Sequence, residues 1–245
     1  MKDRNTSYMT MKKLLIISVL LCAGLTTKSQ VLISILLGDK LNSDKLEFGL
    51  DGGWNSADIH GLDGASAVGR FNIGFYFDLQ LKNPSWMIHT GVIVKSTMGA
   101  KELPVYNLND PDLNAAFVGG KVDRRLGYFN VPVLMKYRFK NNFYAEAGMM
   151  FGLMNKSIDE FTNKVIDKED LTYKLKIRDR YHPLDAGFMV GLGYRLLGGN
   201  GMNLGIRYYI GIVDITIDDS TPNQYNRSLY LAVGIPIGKT PKSKE

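Results

Sequence analysis

From Arg70 to Leu81 the chain reads RFNIGFYFDLQL, with Phe71, Ile73, Phe75, Phe77, Leu79 and Leu81 apolar and Arg70, Asn72, Gly74, Tyr76, Asp78 and Gln80 between them. A period of two sustained over this stretch predicts a strand with one apolar and one polar face, longer than an ordinary soluble strand. The same alternation returns in 45–55, 86–96, 128–139, 143–154, 185–196, 203–213 and 228–237. An even set of such strands, each with an apolar face that needs a partner, predicts an all-β fold. The expected form is an eight-stranded antiparallel up-and-down barrel that crosses a membrane and turns its apolar face to lipid.

The connections alternate in length. Lys82–Ser85, Lys140–Asn142 and Leu197–Met202 are short, whereas 56–67, 97–127, 155–184 and 214–227 are long and polar. Short turns on the periplasmic side and long loops outside would put both termini in the periplasm of a cell with an outer membrane. Aromatic residues then fall at two interfaces: Phe77, Trp86, Tyr137, Phe139, Phe143 and Tyr194 at one, Trp54, Phe71, Phe129, Phe151 and Phe188 at the other. A soluble barrel of lipocalin type would turn the same apolar face inward around a ligand. Against it, the opposite face carries Gly148, Gly191, Gly193, Arg195 and Arg207, a poor solvent surface.

Lys12 and Lys13 precede the apolar run Leu14 to Leu25, and Thr27-Lys28-Ser29 follows with small residues before Gln30. This predicts a secretory signal peptide over 1–29, because the run is too short to span a bilayer. The one cysteine, Cys22, lies inside it behind Leu20 and Leu21, so neither lipidation nor disulfide chemistry is expected of the mature chain. The lead-in 30–44 reads as a short helix at the periplasmic rim or, equally, as a strand or an unstructured segment. The barrel is expected over 45–238, with 239–245 as a periplasmic tail. Removing 1–29 takes away five basic residues (Lys2, Arg4, Lys12, Lys13, Lys28) and the acidic Asp3, so the formal charge falls from +6 to +2. The basic character belongs to the leader and gives no reason to expect nucleic acid as a partner.

The inward-facing set predicted from parity comprises Glu47, Asp51, Asp78, Glu146 and Asp185 with Lys45, Arg70, Lys95, Lys136, Arg138, Arg195 and Arg207. An eight-stranded barrel is only wide enough for side chains, so these charges should neutralise one another and fill it. The tight turns set a register that places Asp78 opposite His89, Tyr76 opposite Gly91, Asn72 opposite Lys95, Lys136 opposite Glu146 and Arg138 opposite Tyr144. His89 beside Asp78 reads as a lumenal hydrogen-bond partner, since no inward Ser or Thr completes a triad. His60 and His182, in or beside the long loops, form a weak candidate metal pair across the rim. No catalytic residue, metal or cofactor is expected, and Gly64, Gly119 and Gly120 lack a phosphate-cradling context. The segment 155–183 carries seven basic and six acidic residues. It reads as a solvated surface or, functionally, as a contact for lipopolysaccharide or a protein.

The stretches LGYFNVPVLMKYRF (Leu126–Phe139) and KLEFGLDGGWN (Lys45–Asn55) resemble the PorT-like outer-membrane β-barrel family of Gram-negative bacteria. The resemblance implies an eight-stranded outer-membrane barrel. That family's namesake takes part in protein secretion, but no residue here carries a motif for that role. The function expected is that of a non-enzymatic integral barrel with a filled lumen. It would act through its outer loops as a structural, binding or accessory component, with outer-membrane lipids, lipopolysaccharide or a protein as partners. The alternatives are an accessory subunit of a secretion or uptake machine, a lipid-modifying outer-membrane enzyme, and a soluble ligand binder.

Overall fold

A computed structural model describes residues 43, 45–164, 171–197, 201–218 and 222–238. The expected signal peptide, nearly all of the lead-in and the tail lie outside these residues. The strands are β1 (Leu46–His60), β2 (Val68–Gln80), β3 (Trp86–Pro104), β4 (Lys121–Arg138), β5 (Phe143–Asn163), β6 (Leu171–Lys176), β7 (Leu184–Leu196), β8 (Met202–Gly211) and β9 (Tyr225–Pro236). All but β6 form a closed antiparallel ring, each paired with the next and β1 with β9. β5 switches partners along its length: 143–153 pair with β7, and 158–163 pair with β6.

Side-chain parity sorts charge inward and hydrocarbon outward. Phe75, Val92, Val131, Phe188, Ile206 and Leu231 are exposed, while Asp78, Lys136 and Arg207 are 2%, 1% and 6% exposed. This is the reverse of a lipocalin-type barrel, so the apolar surface is the one that meets lipid. At the short-turn end the outward aromatics cluster: Trp86 to Tyr137 at 4.8 Å, Tyr137 to Phe139 at 4.9 Å and Phe143 to Tyr194 at 4.9 Å between ring centroids. Trp54 is also exposed and pairs with Phe71 in the band toward the other end. Inward glycines make room for the large rings of the lumen. A Cβ on Gly49 would lie 2.3 Å from Tyr76 Cε1, and one on Gly193 would lie 2.2 Å from Tyr144 Cζ.

The expected register holds near the turns, with Asp78↔His89, Tyr76↔Gly91, Lys136↔Glu146 and Arg138↔Tyr144. It breaks farther along β3, where shifts at Ile73/Gly74 and Ile93/Ser96 pair Lys95 with Ile73 rather than Asn72. A bulge puts two successive residues on one face. Val94 and Lys95 are therefore both exposed, and Lys95 does not enter the lumen as parity alone required.

The connections 97–127 and 155–184 are also less loop-like than their polarity suggested. β3, β4 and β5 run for 19, 18 and 21 residues, where about 10 suffice to cross a bilayer. Beyond the bilayer they continue as a lobe. Its inward positions Met98, Leu103, Val122, Leu126 and Phe161 join Ala57, Ile59, Ile177 and Ile215 in an apolar core. The helix α1 (Pro111–Ala116) starts where Asp110 accepts hydrogen bonds from the amides of Asp112 and Leu113, with Pro111 at its first position. It delivers Phe117 into that core, 5.8 Å from the Phe161 ring and 6.4 Å from that of Tyr173.

Candidate functional site

The barrel interior is layered. Nearest the short turns, Arg195 grips Glu47 through two bonds of 2.6 and 3.2 Å, and the Tyr76 hydroxyl donates to the same carboxylate at 3.0 Å. Next comes a continuous chain: Lys136 Nζ to Asp78 at 2.8 Å, Asp78 to His89 Nδ1 at 2.6 Å, and His89 Nε2 to Arg207 Nη2 at 3.1 Å. Arg207 ends it, donating from Nε to Glu146 at 2.5 Å and from Nη1 to Asp51 at 2.6 Å. A guanidinium only donates, so His89 Nε2 accepts and Nδ1–H donates to Asp78, the neutral tautomer. Glu47, Asp51, Asp78 and Glu146 then balance Lys136, Arg138, Arg195 and Arg207. Buried charges are tolerated only when paired and hydrogen-bonded, which Lys136, Arg195 and Arg207 achieve with the four carboxylates, although Glu146 Oε2 keeps no bond and Arg138 has no carboxylate within 4.0 Å among the described residues.

A polar layer of mostly uncharged side chains follows, with Asp185 as its one carboxyl. Asn55 donates to Ser228 and to the Thr97 carbonyl, Asn130 donates to Ser96, and Asn226 donates to Tyr128 and Asp185. Above it lies the apolar core of the lobe, which encloses one further ion pair: Arg124 reaches Asp159 from Nε at 2.8 Å and from Nη2 at 2.6 Å. The Tyr106 hydroxyl donates to the same carboxylate at 2.9 Å. Burial alone would depress the Arg124 guanidinium, but the bond to Asp159 outweighs it and holds Arg124 above its ordinary range. Burial pushes the neighbouring Tyr181 hydroxyl up to about 12.

Residues 39–216 match the family model described as the outer membrane protein beta-barrel domain. The chain is a member of this outer-membrane β-barrel family. Among solved structures this outer-membrane barrel is similar to Neisserial surface protein A, at 12% identity over 79% of this chain and 97% of that one, with a TM-score of 0.41. It is similar to Ail, the attachment invasion locus protein of Yersinia pestis, at 10% identity over 78% and 97%, with a TM-score of 0.38. The outer membrane protein AlkL is similar at 13% identity over 83% and 96%, with a TM-score of 0.33. No curated protein sequence matches it.

Of the residues singled out for the barrel's interior, Asp78, His89, Lys136, Glu146, Arg195 and Arg207 lie in the charged layers. Arg138 is half-buried beside them, its guanidinium against Met87 Sδ at 3.2 Å. Arg70 lies apart, near the lobe, 3.8 Å from Asp123. Lys136 stands opposite Glu146 in the ladder, yet its ammonium goes to Asp78, and Arg207 takes Glu146. The reason is geometric: a long lumenal side chain reaches past the adjacent strand to the next, Lys136 over β3 to β2 and Arg207 past Gly191 of β7 to β5. The Lys136 ammonium also sits 4.2 Å from the centroid of the Tyr144 ring, a cation–π contact. Trp54, Trp86, Tyr137, Phe139, Phe143 and Tyr194 all point outward at the two ends of the apolar band. His60 and His182 are exposed, and no group of three or more His, Cys, Asp or Glu suited to a metal occurs among the described residues. The Arg124–Asp159 pair falls outside the strands read from the sequence, which start β4 too late, at 128, and end β5 too early, at 154. Continuing the parity of Leu126 and Tyr128 to Arg124 would have found it.

Proposed function

We propose that this outer-membrane barrel is non-enzymatic, conducts no solutes, and acts through the lobe at its long-loop end, which faces the cell exterior. The observation that carries the reading is the double filling of the interior, by a balanced ionic network in one half and an apolar core in the other. The orientation follows from the short turns at one end, since barrels of this kind keep such turns periplasmic. The non-enzymatic reading is supported by His89. Asp78 and Arg207 occupy both of its ring nitrogens, so neither is free to act as a base.

A second reading makes the chain an accessory subunit of a secretion or uptake machine. It is favoured by the resemblance of 45–55 and 126–139 to the PorT-like family and by the lobe itself, a sheet extension with its own core that offers a preformed docking surface. Photo-cross-linkers placed in intact cells at the exposed positions Val118 and Lys174 test both readings. A discrete protein adduct from the exterior supports action through the lobe. No adduct at either position, together with solute entry through the barrel, overturns it.

A further inference from the structure

On the outward face of the lobe, just beyond the lipid-facing band, some cations are paired within the protein: Arg125 and Lys174 share Glu160 at 2.7 and 4.0 Å, and Lys121 meets Glu102 at 3.5 Å. Others are not. Lys95, Lys156 and Lys176 are exposed, and none has a carboxylate within 4.0 Å among the described residues.

Their placement follows from the register. Lys95 is turned outward by the bulge directly after lipid-facing Val94. Lys156 lies three positions beyond lipid-facing Leu153, opposite Gly127, which in turn pairs with Thr97. Lys176 stands opposite Ile158, one row farther out. β3 and β5 are two strand spacings, roughly 10 Å, apart. Glycine at 127 leaves no side chain between Thr97 and Lys156. The three lysines therefore stand on successive rows on one side of the wall, from the end of the band of hydrocarbon contacts outward through the depth of the lipid headgroups.

We propose that Lys95, Lys156 and Lys176 form a binding site for the phosphate groups of a phosphorylated glycolipid in the surrounding outer leaflet. The leaflet rests on the orientation proposed above, whereas the site does not. Three exposed cations without a protein counter-charge at a lipid boundary gain most from fixed phosphates beside them, since that attraction fades within a Debye length.

Detergent-solubilised full-length protein, titrated with diphosphoryl lipid A or with phosphatidylcholine and read by native mass spectrometry, tests the site. Wild type should retain lipid A in preference to phosphatidylcholine. Each Lys→Gln change should weaken retention about fivefold, and Lys95→Gln/Lys156→Gln/Lys176→Gln together about a hundredfold. The Lys→Arg triple should bind as wild type does, which separates loss of charge from loss of fold. Equal retention by wild type and the Gln triple, or no preference for lipid A, overturns the proposal. So does soluble polyglutamate binding that depends on the three lysines when lipid A binding does not. Failure of the cross-linking experiment above leaves this result intact, because lipid binding is read on the isolated barrel.

Discussion

Lys136→Ala should lower stability by about 3–5 kcal/mol, because it leaves the buried Asp78 carboxylate with His89 alone. With charge centres about 4 Å apart and an effective dielectric of about 20, the Lys136–Asp78 attraction is about 4 kcal/mol, offset in the intact protein by the desolvation of both ions. Deleting the lysine removes the attraction but not the desolvation of Asp78, which is 2% exposed. The Lys136→Met/Asp78→Asn pair removes both charges and should recover most of the loss. Urea titration of the barrel folded in vesicles supplies the assay, with fluorescence from Trp54 and Trp86, the only two tryptophans, as the signal. A single-variant cost below about 1 kcal/mol, or a double variant as damaged as the sum of its parts, would refute the reasoning.

In the same assay Phe75→Arg, in the lipid-facing band, should cost about 2–4 kcal/mol. Val118→Arg, on the lobe, should stay within about 0.5 kcal/mol of wild type; equal costs would mean that the outward band does not face lipid. Phe117→Ala should loosen the lobe core by about 3–5 kcal/mol and open 105–120 to protease while the barrel keeps its heat-modifiable gel mobility. Loss of the folded barrel band would show that lobe and barrel unfold as one. Burial would raise the Asp214 carboxyl, but the amides of Gln224 and Thr216 and the Thr216 hydroxyl outweigh it and hold it below the usual range. A depressed folded pKa gives stability above the unfolded value that is lost as pH falls through the folded one. Amide protection at Thr216 and Gln224 should therefore fall below about pH 4, and Asp214→Asn should abolish that dependence.

The eight barrel strands were legible because the bilayer imposes a single rule on their outward face. Phe71, Phe75, Leu79 and their counterparts repeat along the lipid-facing band, broken only at positions such as Gly52 and Thr90. Register near the tight turns was legible for a related reason, since a short turn leaves few ways to pair Asp78 with anything but His89. Past the bilayer the rule lapses. There the outward residues become Lys121, Asp123 and Arg125, and β3, β4 and β5 read as polar loop although their inward residues still alternate. The bulge that ejects Lys95 leaves no clear mark in the sequence, because it depends on how β3 meets two neighbours at once. The Lys136–Asp78 and Arg207–Glu146 pairs were hidden because each skips one strand of the ring, β3 or β7, and so is not a pair that the register of a tight turn sets.

The claim that the interior is filled is tested most directly by single-channel recording of the wild-type barrel in a planar bilayer. The charged layers from Arg195 to Arg207 and the apolar core around Phe117 and Phe161 predict no stable, large, ohmic current at any applied voltage. A steady conductance of porin size would contradict the account and make the chain a transporter.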